Sequence, residues 1–329
     1  MFKDSTILIT GGSGSWGREL TKQLLTHSPR RIIIYSRGEI SQVDMARSFN
    51  DKRVDYVIGD IRDRDSLNQV MAGVDYVFQL AALKHVPICE NQPREAIKTN
   101  IQGIMNVIDA AIDFKVKKFI DVSTDKAADP CSLYGMTKGI GERLSLQANK
   151  RTQDTEFICI RGGNVLGTNG SLVPFVINQI KQKNEVAITD KRMTRFFLTL
   201  PQAIELLLFA TEEGIGGETY VMNMPSFYII DLIELLVSFY GNKETRIVET
   251  GIREGEKIHE VLLSEHEASR AKYVNSNYYV IYPHIETGRT YFHYWDHFSC
   301  EKKINRFTSE DNLKDKEYLT KLLKMGGWL

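Results

Sequence analysis

The sequence predicts an α/β fold: a doubly wound parallel sheet with a smaller C-terminal unit beside it. Three observations carry that reading. Short apolar runs alternate with longer segments of helical period through the first half of the chain. Those runs are nearly continuous in apolar residues, as strands buried on both faces require. A glycine-rich turn joins the first run to the segment after it.

The first strand is predicted over residues 6–10 and its helix over 18–25, with strands following at 31–36, 54–58, 76–80, 118–122 and 157–160. Between the fourth and fifth strands, Ile97, Ile101, Ile104, Ile108 and Ala111 recur at spacings of three and four, which predicts one continuous helix. Past residue 164 the rhythm is lost. Helices are predicted over 201–211, 230–240 and 257–263, and strands and loops over the aromatic stretch 273–298. The resulting division places 1–164 in a dinucleotide-binding domain, to which 193–215 returns. Residues 165–192 and 216–329 fall to a substrate-binding unit.

Composition narrows the function classes. The 329 residues correspond to about two domains at ~150 residues each. With 42% hydrophobic and 26% charged residues, the chain can build a core, which excludes disorder. Lys+Arg and Asp+Glu number 42 each, so no net field favours nucleic acid or an anionic membrane. The run Ile7-Leu8-Ile9 is too short for an export signal, and the longest apolar run, 203–210, contains Glu205 and is far from the ~20 residues of a membrane helix. Cys89, Cys131, Cys159 and Cys300 are scattered, which fits a reducing cytoplasm and excludes a disulfide scaffold. His293 and His297 lie four apart without a third ligand at a telling spacing, so no metal is expected.

The turn Thr10-Gly11-Gly12-Ser13-Gly14-Ser15-Trp16-Gly17 follows a strand and opens a helix. Gly11 permits the tight turn, Gly14 lets the backbone approach a pyrophosphate, and Gly17 allows close helix packing, with Ser15 and Trp16 at the helix start. The second strand ends in Ser36-Arg37, where an NAD site would carry an acid for the ribose hydroxyls. Arg37 suits a 2′-phosphate, so NADP is expected rather than NAD. Asp60 and Ile61 are placed to flank the adenine, and Ala81 and Ala82 to floor the cofactor.

Tyr134 and Lys138 stand four apart on one helix face, where the ammonium favours phenolate and both groups reach the nicotinamide end. Ser123 and Thr124, at the end of the fifth strand, offer hydroxyls for a substrate oxygen. Glycine loop, strand-end hydroxyl and Tyr/Lys pair occur in the order one fold requires.

This pattern resembles the extended short-chain dehydrogenase/reductases that act on nucleotide sugars, and within them the bacterial UDP-N-acetylglucosamine 4,6-dehydratases. The resemblance runs to about residue 265. It rests on Ala81-Ala82-Leu83-Lys84-His85-Val86-Pro87, Lys98-Thr99-Asn100, Ser123-Thr124-Asp125-Lys126-Ala127-Ala128, Thr189-Asp190, Met193-Thr194-Arg195-Phe196 and Arg253-Glu254-Gly255-Glu256-Lys257. It implies a Rossmann-type sheet, bound NADP, a UDP-N-acetylglucosamine substrate and a homo-oligomer, plausibly a hexamer.

Asp125-Lys126 is the informative pair, because an epimerase or reductase has no use for an added acid and base. The chemistry assigns Lys126 to C5 proton transfer and Asp125 to protonating the departing C6 oxygen. By resemblance, Asn164 touches the diphosphate, Arg195 clamps a phosphate, and Arg253 and Glu256 hold phosphate and ribose; Lys84 is a candidate second group at C5. Gly162 stands where the family has Tyr, and Thr168-Asn169-Gly170-Ser171 where it has Ser-Arg-Gly-Ser. Inversion at C5 is expected. A C5-retaining or 5,6-ene-forming dehydratase, a C4-epimerase or reductase, and a non-catalytic NADP-binding redox sensor stay open.

Overall fold

The computed structural model describes residues 1–168, 170–275, 277–283 and 305–329. Its main sheet has nine strands. The parallel part runs, in space, β3 (Val54–Ile58), β2 (Arg31–Ser36), β1 (Thr6–Thr10), β4 (Tyr76–Gln79), β5 (Lys118–Thr124), β6 (Glu156–Gly162) and β10 (Thr219–Met222). The order 3-2-1-4-5-6 is that of a doubly wound dinucleotide-binding sheet, whose crevice opens where the winding reverses between β1 and β4.

Side chains along these strands alternate between two cores, which is why the runs read as continuously apolar. Ile7, Ile9, Ile32, Ile34 and Phe78 face one core, closed by Leu20 and Leu24 of α1 (Ser15–Leu25) and by Ile204 and Leu207 of α9 (Leu200–Glu213). Leu8, Ile33, Tyr35 and Val77 face the other, closed by Leu67 of α3 (Arg64–Met71) and Val107 of α6 (Ile104–Asp113). Each such side chain, wholly removed from water, contributes roughly 1.5–3 kcal/mol.

A third core, including Phe197, Phe227, Leu232 and Leu322, lies in a smaller unit. It is built from β7 (Asn164–Val165), β9 (Thr194–Leu198), β11 (Ser226–Tyr228), α8 (Leu172–Lys183), α10 (Ile229–Tyr240) and α12 (Lys316–Met325).

Three differences from the sequence reading have physical causes. Residues 216–283, assigned to the smaller unit, send β10, β14 (Ala271–Asn275) and β15 (Tyr278–Ile281) into the main sheet, the last two pairing antiparallel. The predicted helix at 257–263 is instead a loop followed by β13 (Val261–Leu263), paired with β16 (Phe307–Thr308). A partner more than forty residues away leaves no local periodicity to read. The helix through Ile97 is broken into α5 (Pro93–Ile97), a π-turn at Lys98–Gly103, and α6. At the π-turn Gly103 admits Ile61, whose Cδ1 would stand 2.6 Å from any Cβ there.

Among the described residues no helix is long and apolar enough to cross a membrane. Cys89, Cys131 and Cys159 are free thiols; Cys300 lies outside the described residues.

Candidate active site

The glycine turn builds a cradle at the switch point. Gly11 has φ +65°, and a Cβ there would stand 2.9 Å from the Ala81 backbone. Gly17 lies so close to Gly12 that a Cβ would strike its carbonyl oxygen at 2.1 Å; Gly12 itself, which the sequence reading did not single out, presses on the Ile9 carbonyl. Around Gly14 the nearest atom, the Gly11 oxygen, is 3.4 Å from a Cβ position, so this glycine keeps an open face. It caps α1 and, being glycine, brings no capping side chain to the first helical amides. Trp16 packs against the first core. Tight turn, open glycine and uncapped helix start suit a pyrophosphate, so the residues fit a dinucleotide.

At the end of β2, Ser36 Oγ lies 2.9 Å from Ser13 Oγ, and Gln42 Nε2 donates to it at 3.0 Å. Arg37 is half exposed, 3.8 Å from Asp60. Burial would raise the Asp60 carboxyl, but Arg62, donating to it at 2.9 and 2.6 Å, holds it below its usual range. Ile61, expected beside the adenine, is buried in the second core instead. Ala81 and Ala82 line the crevice partly exposed, Ala81 opposite Gly11.

The catalytic candidates converge where β5 ends. Thr124 closes the strand, a 3-10 turn carries Asp125–Ala127, and α7 (Leu133–Ala148) starts from Ser132, whose hydroxyl accepts from the Gly135 amide at 3.2 Å. The Tyr134 phenol lies beside the Thr124 hydroxyl. Burial pushes the Tyr134 phenol up, and the opposing Lys138 and Lys126 ammoniums do not overcome it, so in the chain alone it stays a phenol. Lys138 Nζ pairs at 3.1 Å with Asp121, a buried residue on β5 absent from the sequence reading. Asn100 donates to the Leu83 carbonyl at 2.9 Å and to Thr137 Oγ1 at 3.0 Å, tying the loop after β4 to α7 at the π-turn.

Lys126 Nζ sits 3.0 Å from Asp125 Oδ1 and 3.0 Å from Oε1 of Glu260, a residue the sequence reading did not single out. Thr124 Oγ1 also donates to Asp125 Oδ1 at 3.0 Å. Burial works against the Lys126 ammonium, but its two carboxylate neighbours outweigh that and raise its pKa. Burial raises the Asp125 carboxyl. Glu260 is held down because Lys126 and Arg195 together outweigh its burial.

Arg195 does not stand as a phosphate clamp. Its Nε faces Glu260 Oε1 at 3.4 Å, and its Nη groups donate to the carbonyls of Thr194, Ile258 and Lys257 at 2.7, 3.0 and 2.9 Å. A guanidinium buried this deeply must satisfy its donors locally, and the chain's own carbonyls do so.

The other substrate candidates surround the mouth. Asn164 lies on β7 opposite Phe197, one residue after Gly163. A Cβ on Gly163 would stand 3.5 Å from Asp125 Oδ2, and one on Gly162 3.0 Å from Met222 Sδ, so methionine occupies the side from which an aromatic is missing. Arg253 and Glu256 line a groove of about 250 Å³ with Val86, Pro87 and Glu90. Lys257 pairs with Asp129 at 3.4 Å, and Gly255 packs on Ser132, which brings this loop to the start of α7. Lys84 is exposed in the loop after β4, yet desolvation by surrounding protein lowers its ammonium pKa.

No cluster of three or more His, Cys, Asp or Glu that could hold a metal occurs among the described residues. His293, His297 and Asn169 lie outside them.

Sheet order, glycine cradle and the Tyr134/Lys138 pair define an extended short-chain dehydrogenase/reductase. The chain belongs to the polysaccharide biosynthesis protein family, whose model matches residues 7–283. It is 45% identical over 290 residues to the UDP-N-acetylglucosamine 4,6-dehydratase (inverting) of Campylobacter jejuni subsp. jejuni serotype O:2, covering 87% of this chain and 85% of that one. It is 42% identical over 278 residues to the UDP-glucose 4-epimerase of Rickettsia felis, covering 82% and 81%. Among solved structures, Pen from Bacillus thuringiensis matches it with a TM-score of 0.93 at 36% identity over 100% of both chains.

Proposed function

We propose that this chain is a cytoplasmic lyase, a 4,6-dehydratase that acts on UDP-N-acetylglucosamine with inversion at C5, using bound NADP. The observation that carries the reading is the Asp125–Lys126 pair, 3.0 Å apart and next to Thr124 and Tyr134. A site that only oxidised and reduced C4 would gain nothing from burying a second acid there.

Bound in the cradle, the nicotinamide would supply the acceptor for the C4 hydride and return that hydride at C6. Thr124 orients the C4 hydroxyl; Tyr134, acting as a phenolate that Lys138 stabilises, takes its proton and is left as the phenol. The 4-ketone acidifies the C5–H bond. Asp125, whose burial favours the protonated carboxyl, delivers its proton to the leaving C6 oxygen.

Lys126 serves C5, and its environment decides in which direction. Held as an ammonium by the Glu260 carboxylate, with the Asp125 carboxyl also 3.0 Å away, it is set to deliver a proton to C5 rather than to remove one. Removal from the opposite face falls to a second group, for which Lys84, with its lowered pKa, is the candidate. One proton leaves O4 and one leaves C5; one is consumed at the C6 oxygen and one at C5, so the steps balance.

The deciding experiment is incubation with UDP-N-acetylglucosamine followed by mass spectrometry. Loss of the mass of one water supports the dehydratase. The Rickettsia felis relative favours a second reading, a UDP-sugar C4-epimerase, whose product would keep the substrate's mass. That reading leaves Asp125 and Lys126 without work.

A further inference from the structure

We propose that Glu260 is a positioning residue for water elimination: it serves as the fixed counter-ion of Lys126 and so leaves Asp125 as the carboxyl that carries the proton. The inference rests on the dehydratase reading above and assigns work to a residue that reading does not use.

Two carboxylates share one ammonium here, each 3.0 Å from Lys126 Nζ. In a buried cluster of this kind both acids cannot ionise equally well, and whichever has more positive charge beside it keeps its charge. Arg195 breaks the tie. Its Nε lies 3.4 Å from the same Glu260 oxygen that meets Lys126, and Lys257 adds charge on that side. The faces that α7 turns to the cluster carry Tyr134 and Lys138.

Asp125 is only 1% exposed and commits Oδ1 to Thr124 and Lys126. Its Oδ2 has no hydrogen-bond partner among the described residues and lies beside the missing side chain of Gly163. A Cβ on Gly163 would stand 2.6 Å from Phe196 Cβ and 3.4 Å from Met224 Sδ, so packing closes that side, and a proton on Oδ2 meets no competing acceptor among the described residues. The directions of shift agree: burial raises Asp125, and Glu260, with Lys126 and Arg195 against it, is lowered.

Glu260 is itself held by the C-terminal segment. Its amide donates to Ser309 Oγ at 3.0 Å, the Ser309 amide donates to its carbonyl at 2.9 Å, and Ser309 Oγ lies 2.6 Å from Thr194 Oγ1. Beyond residue 283, where the match to the family model ends, the chain thus still shapes the site.

The test compares pH profiles of product formation for wild type, Glu260→Gln and Glu260→Asp. In Glu260→Gln, Asp125 becomes the sole carboxylate on Lys126 and ionises more readily. The alkaline limb of kcat then moves to lower pH by about one unit or more, with KM little changed. Glu260→Asp keeps the charge and keeps the limb near its wild-type position, even where kcat falls. A uniform loss of kcat at every pH in Glu260→Gln, with no shift of the limb, overturns the proposal.

A second measurement needs neither turnover nor a folded Glu260 variant. Carbon-13 carboxyl titration of the full-length wild type, with the Asp125 resonance identified by its loss in Asp125→Asn, reads the proton directly. Titration of Asp125 at or below the ordinary value of about 4 sinks the assignment. If Asp125 titrates high while UDP-N-acetylglucosamine loses no water, the dehydratase reading fails and the assignment of the proton stands.

Discussion

Lys138 Nζ lies 3.1 Å from Asp121 Oδ1, with both groups in the protein interior. The pair joins the middle of β5 to the first turns of α7 and so fixes the face that Tyr134 shares with Lys138. Burial alone would lower the Lys138 ammonium; Asp121 and Tyr134 outweigh it and raise the pKa. Lys138 thus stays charged beside the phenol.

Removing the carboxylate should therefore cost stability as well as activity. Asp121→Ala strands a buried ammonium, for which about 3–5 kcal/mol is expected. Urea denaturation measures it directly. A variant within roughly 1 kcal/mol of wild type would mean that water reaches Lys138 and the site is wetter than the packing indicates.

Much of this arrangement was legible in the sequence because it is local. The glycine turn, the strand ends at Ser36 and Thr124, and the Tyr134/Lys138 spacing each need only a short stretch of chain and one known period. Groups that meet from distant segments were not legible. Glu260 reaches Lys126 from across more than a hundred residues, and its placement depends on Ser309 and β16. A charged residue directly before Val261-Leu262-Leu263 was the one local hint, since an acid entering an apolar strand must find a buried partner. Arg195 shows the converse. Its residue type suits a phosphate, but only the surrounding carbonyls reveal that its donors are already taken.

Arg37 is where the proposed preference for NADP is tested. It stands half exposed at the end of β2, within reach of the crevice and only 3.8 Å from the Asp60 carboxylate. The stripped protein should bind NADP more tightly than NAD. Arg37→Ala should lose about ten- to a hundredfold in NADP affinity, the worth of a charged hydrogen bond, and little in NAD affinity. Fluorescence titration with both dinucleotides checks it. Equal losses for the two would move the 2′-phosphate contact elsewhere.

Asp125→Asn should separate oxidation from water loss. The amide keeps the hydrogen bond from Thr124 but has no acidic proton to give the C6 oxygen. Elimination should fall by about a hundredfold or more, while C4 oxidation falls much less. In single turnover, reduced nicotinamide should therefore build up and be seen by its absorbance. Equal loss of both steps would place Asp125 in the oxidation as well.

The product should be the C5-inverted 4-keto-6-deoxy sugar. Inversion needs two groups on opposite faces of C5, one able to accept a proton and one holding a proton to give. Lys126 is kept protonated by its ion pair with Glu260, and Lys84 has an ammonium made easier to deprotonate by its surroundings. In deuterated water the product should carry solvent deuterium at C5 and the original C4 hydrogen at C6. Lys84→Met should slow loss of the C5 proton while leaving C4 oxidation in place, and Lys126→Met should leave C5 protonation slow. An NMR spectrum of fresh product with C5 retained would remove the need for a second face, and with it the role of Lys84. An accumulating 5,6-alkene would instead mean that C4 is reduced again before C6 receives hydride.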